Sequence, residues 1–113
     1  MAYYKAHIVK PGSDSEYLYG AYFNGMGEPI AELFDKHKIH YGRETVQRKH
    51  KWAIPKTMLN AIIAILEKSP DEKDECLKFK PYTNQQVANV FKEWLVYAHR
   101  NDQGNGLVHV HWF

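Results

Sequence analysis

The sequence predicts an α+β domain: a small, mostly antiparallel sheet packed on one face by two main α-helices. Three observations carry this. The first 24 residues read as a hairpin, two later stretches repeat apolar residues at helical spacing, and the chain closes on the strand-like LVHVHWF. The 113 residues are one domain, 1–113, because halves of that length would be too small to bury a useful core. A hydrophobic share of 44% with 14% aromatics excludes a disordered chain.

Each element has its own signal. Tyr3 to Lys10 is aromatic and β-branched, as strands are. Pro11 to Ser15 (PGSDS) is a turn, and Tyr17 to Asn24 is the antiparallel partner, with Gly20 marking a bulge or a close backbone approach. Ile30, Leu33, Phe34 and His37 then recur at helical spacing, so a short helix runs from Pro29 to about Lys38, with Gly42 an end point or turn. Thr45 to Trp52 fits either an edge strand guarded by lysines or a loop.

After Pro55, Met58, Leu59, Ile62, Ile65 and Leu66 form one stripe, which Ala61, Ile63 and Ala64 widen nearly all round. That helix stops at Ser69-Pro70. Ser69 to Glu72 has the form of a capping box, so a short charged helix is expected to reach Leu77. A second box, Thr83 to Gln86, opens the longest helix. Val87, Val90, Phe91, Trp94, Leu95 and Ala98 line one face of it, and it ends near Arg100. Asn101 to Gly106 is a turn cluster, and Leu107 to Phe113 is a strand able to pair with the first.

The net charge of +2 hides a concentrated cationic segment. Lys36 to Lys56 holds seven of the 15 Lys and Arg residues and one of the 13 acids, a local charge of +6 against −4 for the rest of the chain. Lysines and arginines neutralise phosphates and gain affinity through counterion release, and aromatics among them stack on bases. Lys36, Lys38, Arg43, Arg48, Lys49 and Lys51 are therefore candidate phosphate contacts, and Tyr41 and Trp52 candidate stacking residues. Arg, Tyr and Trp are also enriched at protein interface hot spots, so an acidic protein surface suits the segment as well.

The terminal strand carries the sharpest chemical pattern, His109-Val110-His111. Residues two apart in a strand point to one face, so both imidazoles can approach one metal ion. His7, on the first strand, is a candidate third ligand, and Asp14, Glu16 or Glu28 could complete the shell. The pattern resembles the His-hydrophobic-His strand of the HUH endonucleases, the rolling-circle replication initiators and relaxases. The resemblance covers three residues, His109, Val110 and His111, and implies a divalent cation held by the two histidines and a helical tyrosine attacking a DNA phosphate. Tyr97 is the helical tyrosine in reach, and it precedes the histidine strand, the reverse of the initiator order.

Other chemistry finds little support. Cys76 allows no internal disulfide, and its acidic neighbours raise its pKa and blunt it as a nucleophile. No Gly-rich loop opens a helix. The longest apolar run, Ala61 to Leu66, is far short of the ~20 residues of a membrane span. The N-terminus lacks the apolar core of a signal peptide, so a cytoplasmic chain is expected. The leading expectation is a non-enzymatic domain without a cofactor, binding nucleic acid or another acidic surface through 36–56. The alternatives are a metal-dependent phosphodiester nuclease of HUH type and a protein-directed inhibitor or adaptor of phage or mobile-element type.

Overall fold

The computed structural model describes residues 5–9, 17–23, 25–46, 49–100 and 106–113, with backbone alone at 17–22 and at 100. The chain is an α+β domain. Its elements run β1 (Ala6–Val9), β2 (Tyr17–Tyr22), α1 (Gly27–Lys36), β3 (Gly42–Val46), β4 (Lys49–Pro55), α2 (Lys56–Glu67), α3 (Asn84–Arg100) and β5 (Leu107–Trp112). The strands form one sheet in the order β2-β1-β5-β4-β3, with every pairing antiparallel. The C-terminal strand is thus central, and it joins an N-terminal hairpin to a second hairpin, β3–β4, built from the basic segment. The ambiguous stretch Thr45 to Trp52 resolves into that hairpin rather than a loop. Gly42 begins β3 instead of marking a turn.

Alternation along the strands divides the sheet into two faces. Ala6 and Ile8 of β1, Trp52 and Ile54 of β4, and Val108, Val110 and Trp112 of β5 point into the helical layer, and each is at most 2% exposed. Against them pack Leu33 and Phe34 of α1, Leu59 and Ile62 of α2, and Val87, Phe91 and Trp94 of α3. Aromatic rings fill the centre. Trp52 and Trp112 lie 5.0 Å apart, Phe91 and Trp94 5.1 Å, and Phe34 sits 5.6 Å from Phe91. On α2 the buried stripe is Leu59, Ile62, Ile63 and Leu66. Ala64 is exposed, so that helix is not buried nearly all round.

Local signals decide most boundaries. Thr83 and Gln86 form a reciprocal capping box: the Gln86 N–H donates to Thr83 Oγ1 (3.3 Å) and the Thr83 N–H to Gln86 Oε1 (2.8 Å). Helix α1 begins at Gly27, two residues before the expected Pro29. Pro29 is tolerated there because first-turn N–H groups have no intrahelical partner. Its C-terminus is a Schellman motif: Ile39 N–H reaches Phe34 O (2.8 Å) and Lys38 N–H reaches Asp35 O (3.2 Å), with Lys38 at φ +58°. The β1–β2 register slips between Tyr19 and Tyr22, a bulge where Gly20 announces one.

The short charged helix expected at 71–77 is absent; a single 3-10 turn spans Glu75–Leu77. The polar groups nearby serve tertiary bonds instead. Asp74 accepts from Lys36 Nζ (3.1 Å) and Cys76 N–H (3.1 Å), and it bonds His37 Nε2 (2.8 Å). The buried Asn84 accepts from Asp74 N–H (2.6 Å) and donates to Ser69 O (3.0 Å), fixing the connection to α3. The expected turns at 11–15 and 101–105 lie outside the described residues. Gly106, which ends the second of them, is at φ +67°.

Candidate nucleic-acid interface

The face of the sheet turned away from the helices is built by the same alternation. On β5, His109 and His111 alternate with the core residues Val108, Val110 and Trp112, so both imidazoles lie on the face away from the helices, His109 half-buried and His111 buried at 5% exposed. Strand pairing sets their neighbours. His111 is opposite His7 on β1 and opposite Lys51 on β4, and His109 is opposite Ala53. Lys49 shares the face of Lys51 and, through the β3–β4 register, that of Glu44 and Val46. Beyond the strand ends, Lys5 and Phe113 exchange backbone hydrogen bonds (3.2 and 3.0 Å), which carries both onto this face.

His7 and Lys49 are both in contact with one aromatic ring, that of Phe113. His7 stacks on Phe113 with ring centroids 3.9 Å apart and planes 6° from parallel. Lys49 Nζ is 5.0 Å from the centre of the Phe113 ring. Burial holds the His7 pKa below its ordinary value, opposed by hydrogen bonds with the backbone of His111 and Lys5 and assisted by the charges of Lys5 and Lys49. Burial alone lowers that of His109. The lysines of the face are Lys5, Lys49 and Lys51, and Glu44 is the acid that shares it among the described residues.

Comparison with known proteins identifies no relative. No family model, no curated protein and no solved structure matches the chain.

The residues singled out in the sequence are not all brought together. Lys49 and Lys51 reach the helix-free face. Arg43 and Trp52 are register partners on the other face; Arg43 lies over Tyr41 at 5.6 Å, and Tyr41 packs 4.9 Å from Trp52. Trp52 is 2% exposed, so its ring belongs to the core and offers no surface for a base. Lys36 is held by Asp74 at the end of α1, and Lys38 is exposed beside it. Arg48, Asp14 and Glu16 lie outside the described residues.

His7, His109 and His111 share one face, but no group of three His, Cys, Asp or Glu side chains among the described residues is placed to hold a metal ion. Tyr97 packs at the edge of the core, in the helical layer, so the sheet stands between it and the two histidines of β5. Cys76 has its pKa raised by burial and by Asp74. No helix among the described residues is long and apolar enough to cross a membrane.

Two residues of the face went unmarked in the sequence, Lys5 and Phe113. Their signal is the two-residue period that links Lys5 to His7 and His111 to Phe113. It becomes readable only when β1 is known to pair with β5. Phe79, 90% exposed on the connection to α3, carries no pattern at all in the sequence.

Proposed function

We propose that this chain binds nucleic acid by laying a single strand across the helix-free face of its sheet. Lys5, Lys49 and Lys51 make the phosphate contacts, and the Phe113 and His7 rings receive a base. The observation that carries this reading is the gathering of three lysines and a stacked aromatic pair on one sheet face that no helix among the described residues covers. Base stacking on an aromatic side chain contributes ~1–3 kcal/mol per base and tolerates sequence variation. A single strand is the better ligand because its bases can be splayed against rings, whereas those of a duplex are already stacked.

The test is fluorescence anisotropy with labelled 20-nucleotide single strands of DNA and RNA, and their duplexes, across a salt series. Three phosphate contacts predict a slope of log K against log salt of about −2, from the single-strand value of roughly −0.7 per contact. Absence of binding at the lowest salt, or tighter binding to the duplexes, overturns the proposal.

A further inference from the structure

Strand pairing sets one row of side chains across the helix-free face: His7, His111, Lys51 and Glu44 stand in line from β1 to β3. Lys51 and Glu44 are direct partners, so their Cβ atoms lie ~4.5–5.5 Å apart on one side of the sheet. The Lys51 ammonium only donates hydrogen bonds, and the ionised Glu44 carboxylate only accepts them, through two oxygens. Glu44 is exposed. An acid weakens every phosphate contact near it, so phosphate binding alone does not account for its place on this face. One step further along the strands the partners are Ala53 and Gly42, with His109 beside Ala53 on β5. Apart from its chain neighbours, a Cβ built on Gly42 would meet Ala53 alone within 4 Å, Cβ at 3.6 Å and O at 3.7 Å. Gly42 also lies outside the left-handed region, so neither backbone conformation nor packing calls for glycine there. Glycine weakens a strand and often marks a place where a ligand approaches the backbone closely.

We propose that Lys51 and Glu44 read a guanine base of the bound strand as it lies over Gly42 and Ala53. The inference rests on the single-strand reading above and adds a base preference to it. Guanine is the base whose pairing edge presents one acceptor followed by two donors: O6, N1–H and the N2 amino group. O6 accepts from Lys51, and the two adjacent N–H groups donate to the two carboxylate oxygens of Glu44, a forked and charge-assisted contact. Every other base turns a lone pair toward the carboxylate: N1 of adenine, N3 of cytosine, O2 of thymine or uracil. Lys51 carries three donors, so contact with O6 leaves others for a phosphate. The Phe113 and His7 rings take any base, and the Lys51–Glu44 pair discriminates.

The test is anisotropy with the whole chain and labelled 20-nucleotide DNA strands, all thymine except at a few spaced positions that carry guanine, hypoxanthine, adenine or cytosine. Strands with guanine should bind about tenfold tighter than those with adenine or cytosine, the discrimination expected of one bidentate contact. Hypoxanthine, which is guanine without the N2 amino group, should lose most of that factor. Glu44→Gln should bring the ratio close to one, because its amide NH2 faces the donors of guanine. Gly42→Val should do the same by filling the floor. Valine suits a strand, and circular dichroism with thermal unfolding establishes that the fold of Gly42→Val is retained. Phe113→Ala should weaken all strands by a common factor. Equal binding of all strands, or a guanine preference that survives in Glu44→Gln, overturns the inference and leaves the single-strand reading standing. If no strand binds at the lowest salt, that reading fails and the inference fails with it.

Discussion

Lys51 on β4 stands directly across from His111 on β5. The pairing joins the two features that look like rivals in the sequence, the cationic segment and the terminal histidine strand. They are neighbouring strands of one sheet, and their outward side chains form one surface. His7 and Phe113 extend it across β1. His7 and His109 are then partly desolvated members of a lysine-rich face, their pKa values held down chiefly by burial, and the lysines are its cations.

The first prediction separates this face from the rest of the basic segment. Lys49→Glu combined with Lys51→Glu should lower affinity for a single-stranded oligonucleotide more than about tenfold, since it removes two of three phosphate contacts and adds repulsion. Phe113→Ala should weaken binding by about 1–3 kcal/mol if its ring carries a base. Lys38→Glu, at the end of α1, should change affinity less than about threefold. Anisotropy at fixed salt reads all three, and a larger effect at Lys38 would move the interface to the helical side.

Much of the fold was legible because the signals are local. The Thr83–Gln86 box, the α3 stripe and the bulge at Gly20 follow from residues close in the chain. The face was not legible, because it depends on pairings such as His7 with His111, more than a hundred positions apart. The cationic segment misleads for a related reason. A strand sends alternate residues to opposite faces, so Lys49 and Lys51 part from Arg43, and Trp52 enters the core. The Ser69–Glu72 box failed because tertiary hydrogen bonds from Asn84 claimed its backbone.

Stability should fall in two stages on acidification. His7, His50 and His109 have folded pKa values lowered chiefly by burial, so the unfolded chain takes up protons first as pH drops through about 6.5. Their contribution is complete above that pH and declines below it. Urea unfolding at pH 7.5 and 5.5 should show the lower midpoint at pH 5.5. The gap between the two midpoints should narrow in His7→Gln with His109→Gln, and His50 accounts for what remains.

Asp74 accounts for the second stage. Burial resists its ionisation, but hydrogen bonds from His37, the Cys76 N–H and Lys36 outweigh this and lower its pKa to about 2. The carboxyl is 10% exposed, so the shift corresponds to about 2 kcal/mol, present above pH ~4 and lost as pH falls toward 2. Asp74→Asn should cost about that much at pH 7 and flatten the pH dependence between about 4 and 2. A variant as stable as the original chain at pH 7 would show that the Lys36 and His37 contacts add nothing.

The three tryptophans report on the core. Trp52, Trp94 and Trp112 are each no more than 2% exposed. Their emission should be blue-shifted, resist acrylamide quenching and stay unchanged when an oligonucleotide saturates the sheet face. Trp112→Ala should cost about 3–5 kcal/mol, because it empties the centre of the sheet's packed face. A large quench on oligonucleotide binding would mean that a tryptophan leaves the core to stack.

The end of α1 allows a stabilising substitution. Lys38 occupies the position of the Schellman motif that favours glycine, at φ +58°, and a side chain there costs ~1–2 kcal/mol. Glycine removes that strain but adds about 0.4–1 kcal/mol of unfolded-state entropy. Lys38→Gly should therefore stabilise the chain by about 0.5–1 kcal/mol, a rise of a few tenths of a molar in the urea midpoint. Lys38→Ala removes the same charge and keeps the strain, so it should not stabilise. Equal gains from both variants would assign the effect to charge rather than to the backbone.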